Sequence, residues 1–290
     1  MASAPVISIG TSGYSFADWV GPFYPPGTRS GEFLGYYATQ FDCVEVNSTY
    51  YGIPAPRVLE SMEKKTPAGF RFIVKLNQAM THEYSAEPAL YEKFIDVLEP
   101  LKAAGKYHGL LAQFPWAFRR DERSKAHLEL LRERLPDEPL WVEFRHDSWM
   151  HPKLAAWLSE RALGYCIVDE PALPGLVPPV THVTNGIAYV RFHGRNATHW
   201  WGSTGRVPGG ASLAREAAAP ARSAPKARGD QLRYDYNYSE RELMEWVKRI
   251  NELAKQAKQT YLFFNNCHAG QAARNAKLME ELLRRSERFL

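Results

Sequence analysis

Residues 188–193 read AYVRFH, and this short segment shows the pattern that decides the fold. In a β-strand, successive side chains point to opposite faces. The alanine, valine and phenylalanine therefore share an apolar face, whereas Tyr189, Arg191 and His193 share the other. An apolar face suits a strand that is covered by helices. Charges near the C-terminal end of the opposite face are typical of the polar mouth of a β-barrel.

Seven more segments of this kind alternate with segments in which apolar residues recur at a helical period. The predicted strands are residues 6–9, 43–46, 70–74, 109–112, 140–144, 165–168, 188–192 and 261–264. The predicted helices are residues 32–41, 56–65, 90–104, 124–134, 153–161, 241–255 and 271–285. Residues 171–185 show no helical period. This alternation predicts parallel strands. Eight strands, without a G-x-G-x-x-G motif after the first, favour a single (β/α)₈ TIM barrel over a doubly wound sheet.

The composition fits one such barrel domain over residues 1–290. Residues 202–229 are rich in Gly, Ala, Pro, Ser and Arg, which predicts a flexible insertion after the seventh strand. The net charge of +4 permits an anionic ligand and does not require nucleic acid. Three cysteines without a C-x-x-C pair indicate a reducing compartment. No signal peptide and no apolar run of membrane-spanning length are visible, so we expect a cytoplasmic protein without a membrane partner.

Polar side chains gather at the C-terminal ends of the predicted strands, where α/β barrels place their active sites. Glu45 and Glu143 are predicted to divide the roles of acid and base, because unlike surroundings push the pKa values of two carboxyls apart. Lys75 is the third predicted catalytic residue. The predicted substrate-binding residues are Asn47, Gln113, Arg145, Asp169, Arg191, His193, Tyr236, Asn265 and Asn266. The alternative is that these charges form ion pairs that only stabilise the barrel.

An anion is predicted to bind between the loops that follow the seventh and eighth strands. Arg191 could hold it with a bidentate contact, next to His193 and the two asparagines at 265 and 266. The chain then turns through Gly270 into a helix whose first N–H groups favour an anion. The spacing of His and Cys residues matches no zinc site, so no metal and no cofactor are predicted. One Mg²⁺ or Mn²⁺ on the carboxylates is the alternative.

Several specific motifs are spread along the chain. They read GTSGY at 10–14, VEVNSTYY at 44–51, QFP at 113–115, EFRH at 143–146, YDY at 234–236 and FNN at 264–266. With these motifs the chain resembles the DUF72 family, also called YecE-like, over nearly its whole length. The resemblance implies a TIM barrel whose biochemical activity is not established. It also implies a likeness in fold to the endonuclease IV-like barrels, which raises a role with nucleic acid or metal.

The sequence leaves three hypotheses about function. The first is an enzyme, a hydrolase or a lyase, that acts on an anionic or phosphorylated small molecule at the mouth of the barrel. The second is a nucleic-acid-binding protein that holds phosphates with the basic segment 206–233. A steep dependence of binding on salt would identify this second activity. The third is a sensor that binds a small ligand without catalysis.

Overall fold

The computed structural model of the protein describes residues 6–201 and 232–287, so the insertion predicted at 202–229 lies outside the described residues. The strands are β1 Val6–Thr11, β2 Cys43–Val46, β3 Arg71–Lys75, β4 Tyr107–Gln113, β5 Leu140–Glu143, β6 Leu163–Asp169, β7 Ile187–Phe192 and β8 Gln259–Phe264. They form a parallel sheet in the order β1-β8-β7-β6-β5-β4-β3-β2. A parallel bridge between Ser12 and Glu45 brings its two ends together. The predicted (β/α)₈ TIM barrel is confirmed.

Helices connect successive strands except β6 and β7, whose connection over residues 171–185 has no helix. The α-helices among the described residues are α1 Phe33–Gln40, α2 Ser48–Tyr51, α3 Pro56–Lys64, α4 Gln78–Thr81, α5 Pro88–Asp96, α6 Glu99–Ala103, α7 Glu122–Arg134, α8 Leu154–Ser159, α9 Glu240–Gln256 and α10 Gln271–Glu287. Short 3₁₀ turns cover Ala17–Trp19, Ser30–Glu32, Asp147–Trp149, Leu232–Tyr234 and His268–Gly270. Within 6–201 and 232–287, no helix combines the length and the apolar character needed to cross a membrane.

The closure of the barrel between β1 and β2 depends on a glycine. A Cβ atom at Gly10 would lie 2.3 Å from the carbonyl oxygen of Cys43, which is closer than real Cβ atoms approach backbone. Only a residue without a side chain lets the first strand come this near the second. The close approach brings the end of β1 to Glu45, which is one of the predicted site residues.

Aromatic side chains fill the barrel beneath the charged residues. The ring of Trp141 lies 5.1 Å from that of Tyr189, and Tyr189 lies 5.3 Å from Phe263. Space for the indole exists because Gly164 on β6 has no side chain: a Cβ there would lie 2.2 Å from Cδ1 of Trp141. This layer separates the charges above it from the lower end of the barrel, where Arg71 pairs with Asp42.

Two connections show how the local sequence shapes the barrel. The sequence predicts one helix over residues 90–104, but the structure has two, α5 and α6. Pro100 explains the break, because proline lacks an N–H and its ring clashes with the carbonyl of the residue four positions earlier. The absence of a helix at residues 171–185 is confirmed. There Thr184 accepts a hydrogen bond from the N–H of Tyr165 at 2.8 Å and so fastens the loop to β6.

Candidate active site

The centre of the site is a buried group of charges around Arg191, which points into the barrel from β7. Its Nη2 donates to Glu45 Oε1 at 2.7 Å, and its Nη1 donates to Glu143 Oε2 at 2.5 Å. The hydroxyl of Tyr189 donates to the other oxygen of Glu45 at 2.5 Å. Both glutamates are fully buried, and Arg191 is 1% exposed. The two carboxylates therefore share one guanidinium at a depth that solvent does not reach.

These charges hold one another in the ionised form. Burial disfavours the carboxylate of Glu143, but the cations around it, Arg145 above all, outweigh burial and hold its pKa well below the usual range. Burial also disfavours the guanidinium of Arg191, yet Glu143 and Glu45 hold its pKa well above its ordinary value. Glu143 and Arg191 thus stay charged near neutral pH. Neither is poised to exchange a proton with a substrate there.

Arg145 follows Glu143 by two residues, and His193 follows Arg191 by two residues. Both therefore lie nearer the mouth of the barrel. Arg145 Nε is 2.6 Å from Glu143 Oε1, and His193 Nε2 is 3.2 Å from the same oxygen, although neither pair is aligned as a hydrogen bond. Asn265 Nδ2 lies 3.0 Å from His193 Nδ1. Burial, with the nearby Arg145, lowers the pKa of His193 to about 3, so its ring is neutral at pH 7. With Asn265 donating to Nδ1, the ring proton sits on Nε2 and faces the carboxylate.

Arg145 has a donor that the described residues leave unused. Its Nη1 donates to Glu170 Oε2 at 3.3 Å, and its guanidinium carbon lies 6.0 Å from the ring centre of Trp200. Its Nη2 donates no hydrogen bond to any residue in 6–201 or 232–287. The side chain is 10% exposed. A ligand that reaches this guanidinium meets a charged donor, and such donors bind anions most strongly.

Lys75 ends β3 and faces the same space. Its Nζ donates to Gln113 Oε1 at 2.7 Å and lies 4.3 Å from the ring centre of Tyr50. Among the described residues, no carboxylate lies within ion-pair distance of this amine. Burial, with the charge of Arg191, lowers the pKa of Lys75 to about 7. The side chain nevertheless keeps a partly exposed surface. A lysine in this state can accept a proton or attack an electrophile at neutral pH.

Uncharged rings surround the mouth. The rings of Trp200 and Tyr234 lie 6.5 and 6.3 Å from that of His193. On the side of Lys75, His82 meets Tyr50 edge to face at 5.1 Å. Burial, with the charges of Lys75 and Arg145, lowers the pKa of His82 to about 3, so this ring is also neutral. The surroundings of Lys75 thus offer its ammonium form little compensation.

Glu170 belongs to the site, although sequence reasoning missed it. Cys166 Sγ lies 3.8 Å from Glu143 Oε2, so Cys166 faces inward, and counting by twos along β6 reaches Glu170. One of its carboxyl oxygens contacts Arg145, and the other accepts the N–H of Val177 at 3.1 Å. Burial outweighs the arginine and raises the pKa of Glu170 to about 8. The carboxyl is therefore largely protonated at pH 7.

Asp169, which the sequence places in the site, faces the outside of the barrel. Its oxygens accept hydrogen bonds from Arg195 at 2.7 Å, Tyr238 at 2.7 Å and Trp246 at 2.6 Å. The sequence-based placement is wrong by one residue, because strand alternation turns position 169 outward once Cys166 faces inward. Asp169 ties the loop after β7 to the beginning of α9.

Two more of the predicted binding residues face away from the mouth. Asn266 Nδ2 donates to the carbonyl of Tyr236 and to Asn275 Oδ1, both at 2.7 Å. Tyr236 donates its hydroxyl to Glu242. These bonds fasten the loop after β8 to α9 and α10. Asn47, at the end of β2, differs: its Oδ1 is buried without a hydrogen-bond partner among the described residues.

The anion pocket predicted around Arg191 is not present in that form. Arg191 directs both terminal nitrogens to the buried glutamates. At the beginning of the last helix, the N–H of Ala269 donates to Asp18 Oδ2 at 2.7 Å, so that end already carries a carboxylate. Arg145, rather than Arg191, is the arginine with a free donor at the mouth.

Two other features bear on where a ligand could bind. Within the described ranges, no three His, Cys, Asp or Glu side chains are placed to hold a metal ion together. A cleft of about 700 Å³ lies at the opposite end of the barrel, between the segment 38–42 and α10. It is lined by Asp42, Phe70 and Lys277 and is remote from Lys75 and Arg145. The unusual ionisable groups are therefore at the C-terminal mouth.

A parallel eight-stranded barrel with a charged, aromatic-rimmed mouth belongs to the class of TIM-barrel proteins. The model of the family described as "Protein of unknown function DUF72" matches residues 8–289, and the chain belongs to this family. It is 33% identical over 290 residues to the UPF0759 protein YunF of Bacillus subtilis, covering 96% of this chain and 95% of YunF. Its fold is similar to that of a DUF72 family protein from Thermotoga maritima, with a TM-score of 0.81, 38% identity, and coverage of 96% and 99% of the two chains. A DUF72 family protein from Enterococcus faecalis gives a TM-score of 0.79 at 27% identity, with 96% of each chain covered.

Proposed function

We propose that the protein is an enzyme, a hydrolase or a lyase, that acts on a small anionic molecule at the C-terminal mouth of the barrel. The observation that carries the proposal is the state of Lys75. The residue is partly exposed, its amine has no carboxylate partner among the described residues, and its pKa of about 7 leaves about half of the amine neutral at pH 7. A structural lysine would normally be paired or fully solvated. A reactive amine in a barrel mouth is typical of a catalytic site.

The balance of charge supports an anionic substrate. Glu45 and Glu143 neutralise Arg191 and Arg145 inside the barrel. Since Glu170 is mostly protonated at pH 7, it adds little negative charge. Any proton on Lys75 is therefore an excess positive charge. A bound anion would compensate that charge in a poorly hydrated site, where Coulomb attraction is stronger than in water.

The proposed roles follow from which side chains remain available. Lys75 is the reacting group. Arg145 binds the anion. Gln113 holds the lysine in place, and Asn265 holds the buried ring of His193 next to Glu143. The two predicted catalytic glutamates instead keep Arg191 and Arg145 fixed. Asn47 offers its free carbonyl oxygen to a donor on the substrate.

A thermal-shift experiment tests the proposal. Phosphate, sulfate, pyruvate and lactate are added at millimolar concentration and constant ionic strength to wild type, Lys75→Met and the control Lys255→Met. Lys255 is an exposed lysine paired with Glu252. Binding at 100 times Kd stabilises the folded state by about 2.7 kcal/mol, so a ligand anion should raise Tm in wild type and in the control, and less in Lys75→Met. No shift with any anion, or equal shifts in all three proteins, would contradict the proposal.

The same three proteins also test the alternative hypothesis that the protein binds nucleic acid. The basic segment 206–233, on which that alternative depends, lies almost entirely outside the described residues. Binding of an oligonucleotide with a steep salt dependence, unchanged by Lys75→Met, would favour it. We also infer that the protein works in the cytoplasm, because Cys43, Cys166 and Cys267 form no disulfide bond.

A further inference from the structure

Lys75 differs from other partly buried lysines of the chain in what its amine touches. Lys102 pairs with Glu138, and Lys106 pairs with Glu63. The amine of Lys75 instead contacts the neutral amide oxygen of Gln113 and the face of the Tyr50 ring. Two arginines occupy the carboxylates that could have paired with it. No carboxylate of the described residues contacts the amine directly, and burial together with Arg191 outweighs the attraction of Glu143 and Glu45, so the pKa of the amine is lowered. A lysine with a lowered pKa is a better nucleophile at neutral pH.

We propose that Lys75 is a nucleophile that forms an imine with an aldehyde or ketone group of a small anionic substrate. This inference rests on the proposed function and narrows its substrate to a carbonyl-bearing anion. It also narrows the reaction to one at the carbon next to that carbonyl, because an imine makes the bonds of that carbon easier to break. A lyase fits this chemistry better than a hydrolase.

The position of the amine suits attack on a bound carbonyl. Lys75 ends a strand that pairs on both sides, with β2 and β4, so its backbone is held firmly. Gln113 Oε1 accepts one of its N–H groups, and the residue as a whole is partly exposed. The free Nη2 of Arg145 is available to the carboxylate or phosphate of the substrate. A 2-oxo acid carries both groups that this proposal requires, a carbonyl for Lys75 and a carboxylate for Arg145.

The proposed step balances without any further reactant. The lone pair of the neutral amine forms a C–N bond to the carbonyl carbon, the C=O π electrons move to oxygen, and the amine proton transfers to that oxygen. The hydroxyl of this adduct then takes a proton from solvent at the mouth and leaves as water. The product is a protonated imine on Lys75, with nothing oxidised or reduced.

Reductive trapping tests the inference. Wild-type protein is incubated at pH 7 with pyruvate, glyoxylate or pyridoxal 5′-phosphate and sodium cyanoborohydride, and each lysine adduct is quantified by peptide mass spectrometry. At pH 7 an amine with the pKa of Lys75 is neutral on the order of a thousand times more often than an ordinary lysine. We therefore expect the adduct at Lys75 to exceed that at the exposed Lys255 by roughly tenfold or more, which allows for weaker intrinsic nucleophilicity.

Two comparisons make the result decisive. Acetone has a carbonyl but no charge, so it should label Lys75 less selectively than pyruvate does. Lactate is an anion without a carbonyl, and in excess it should protect Lys75 from pyruvate. If none of the three carbonyl probes labels Lys75 above Lys255, while lactate still raises Tm in a manner that depends on Lys75, the imine is wrong and the anion site stands. If there is neither labelling nor a shift in Tm, both proposals fail.

Discussion

Replacing Arg191 with methionine tests the buried group of charges that supports the site. The substitution keeps most of the side-chain volume and removes the guanidinium. Glu45 then loses the cation that donates a hydrogen bond to it. Glu143 loses Arg191 and keeps the neighbouring cation Arg145. Both carboxylates remain fully buried. The stranded charge of Glu45 should therefore dominate the effect.

The size of the effect can be worked from this geometry. Removing one partner of a buried ion pair costs about 3–5 kcal/mol. For chains of roughly 150–250 residues, each kcal/mol lowers Tm by about 2–4 °C. Thermal unfolding of Arg191→Met, followed by circular dichroism at pH 7, should therefore give a Tm about 6–20 °C below wild type.

Two further variants test whether the unpaired carboxylate of Glu45 causes the lower Tm of Arg191→Met. Arg29→Met removes an arginine from an exposed pair with Glu32 and should leave Tm unchanged. The double variant Arg191→Met with Glu45→Gln removes the stranded carboxylate as well, and most of the lost stability should return. If the single variant were as stable as wild type, or if the double variant lost still more stability, the ion-pair account of this group would be refuted.

Three more predictions follow from single residues. Because Glu170 takes up a proton on folding between its ordinary pKa and about 8, it makes the fold less stable as the pH rises through that range. Urea unfolding should therefore show Glu170→Gln gaining stability over wild type from pH 5 to pH 9. Imidazole ¹⁵N NMR should show that the ring of His193 is neutral at pH 5 and carries its single N–H proton on Nε2. Gly164→Ala forces a Cβ into Trp141 and should cost at least about 1–3 kcal/mol of unfolding free energy, whereas Gly35→Ala in α1, with open space around it and no positive φ, should meet no such clash.

The fold was predictable because its signal repeats along the chain. Each strand is short, apolar on one face and followed by a polar residue, and eight such segments specify a barrel more firmly than any one of them. The helix at 90–104 was the exception, because its apolar period continues through Pro100 while the backbone does not. Periodicity reports which face is buried, and it does not report a missing N–H.

The site was predictable only as far as strand alternation is certain. In β7, alternation correctly put Arg191 and the residue two positions later inside. In β6, the interior position fell to Glu170 rather than Asp169, because the sequence offered two adjacent acids and no marker of which one faced inward. Which charged side chain pairs with which could not be predicted from the sequence. Arg191 pairs with the two glutamates, and the amine of Lys75 contacts only the neutral amide of Gln113 among hydrogen-bond partners in the described residues. This pairing depends on three-dimensional distances that the sequence does not contain.

The central claim is that Lys75 presents a reachable amine that is half neutral near pH 7. Competitive labelling with a trace of acetic anhydride, between pH 5 and pH 11, measures this directly when the peptide that contains each lysine is quantified by mass spectrometry. The reactivity of Lys75 should rise with a midpoint near pH 7, and that of Lys255 with a midpoint near the ordinary value of about 10.4. A saturating anion that binds at the mouth should move the midpoint of Lys75 upward, because it stabilises the ammonium form. A midpoint shared with Lys255, or a Lys75 that is not labelled at any pH, would contradict the account.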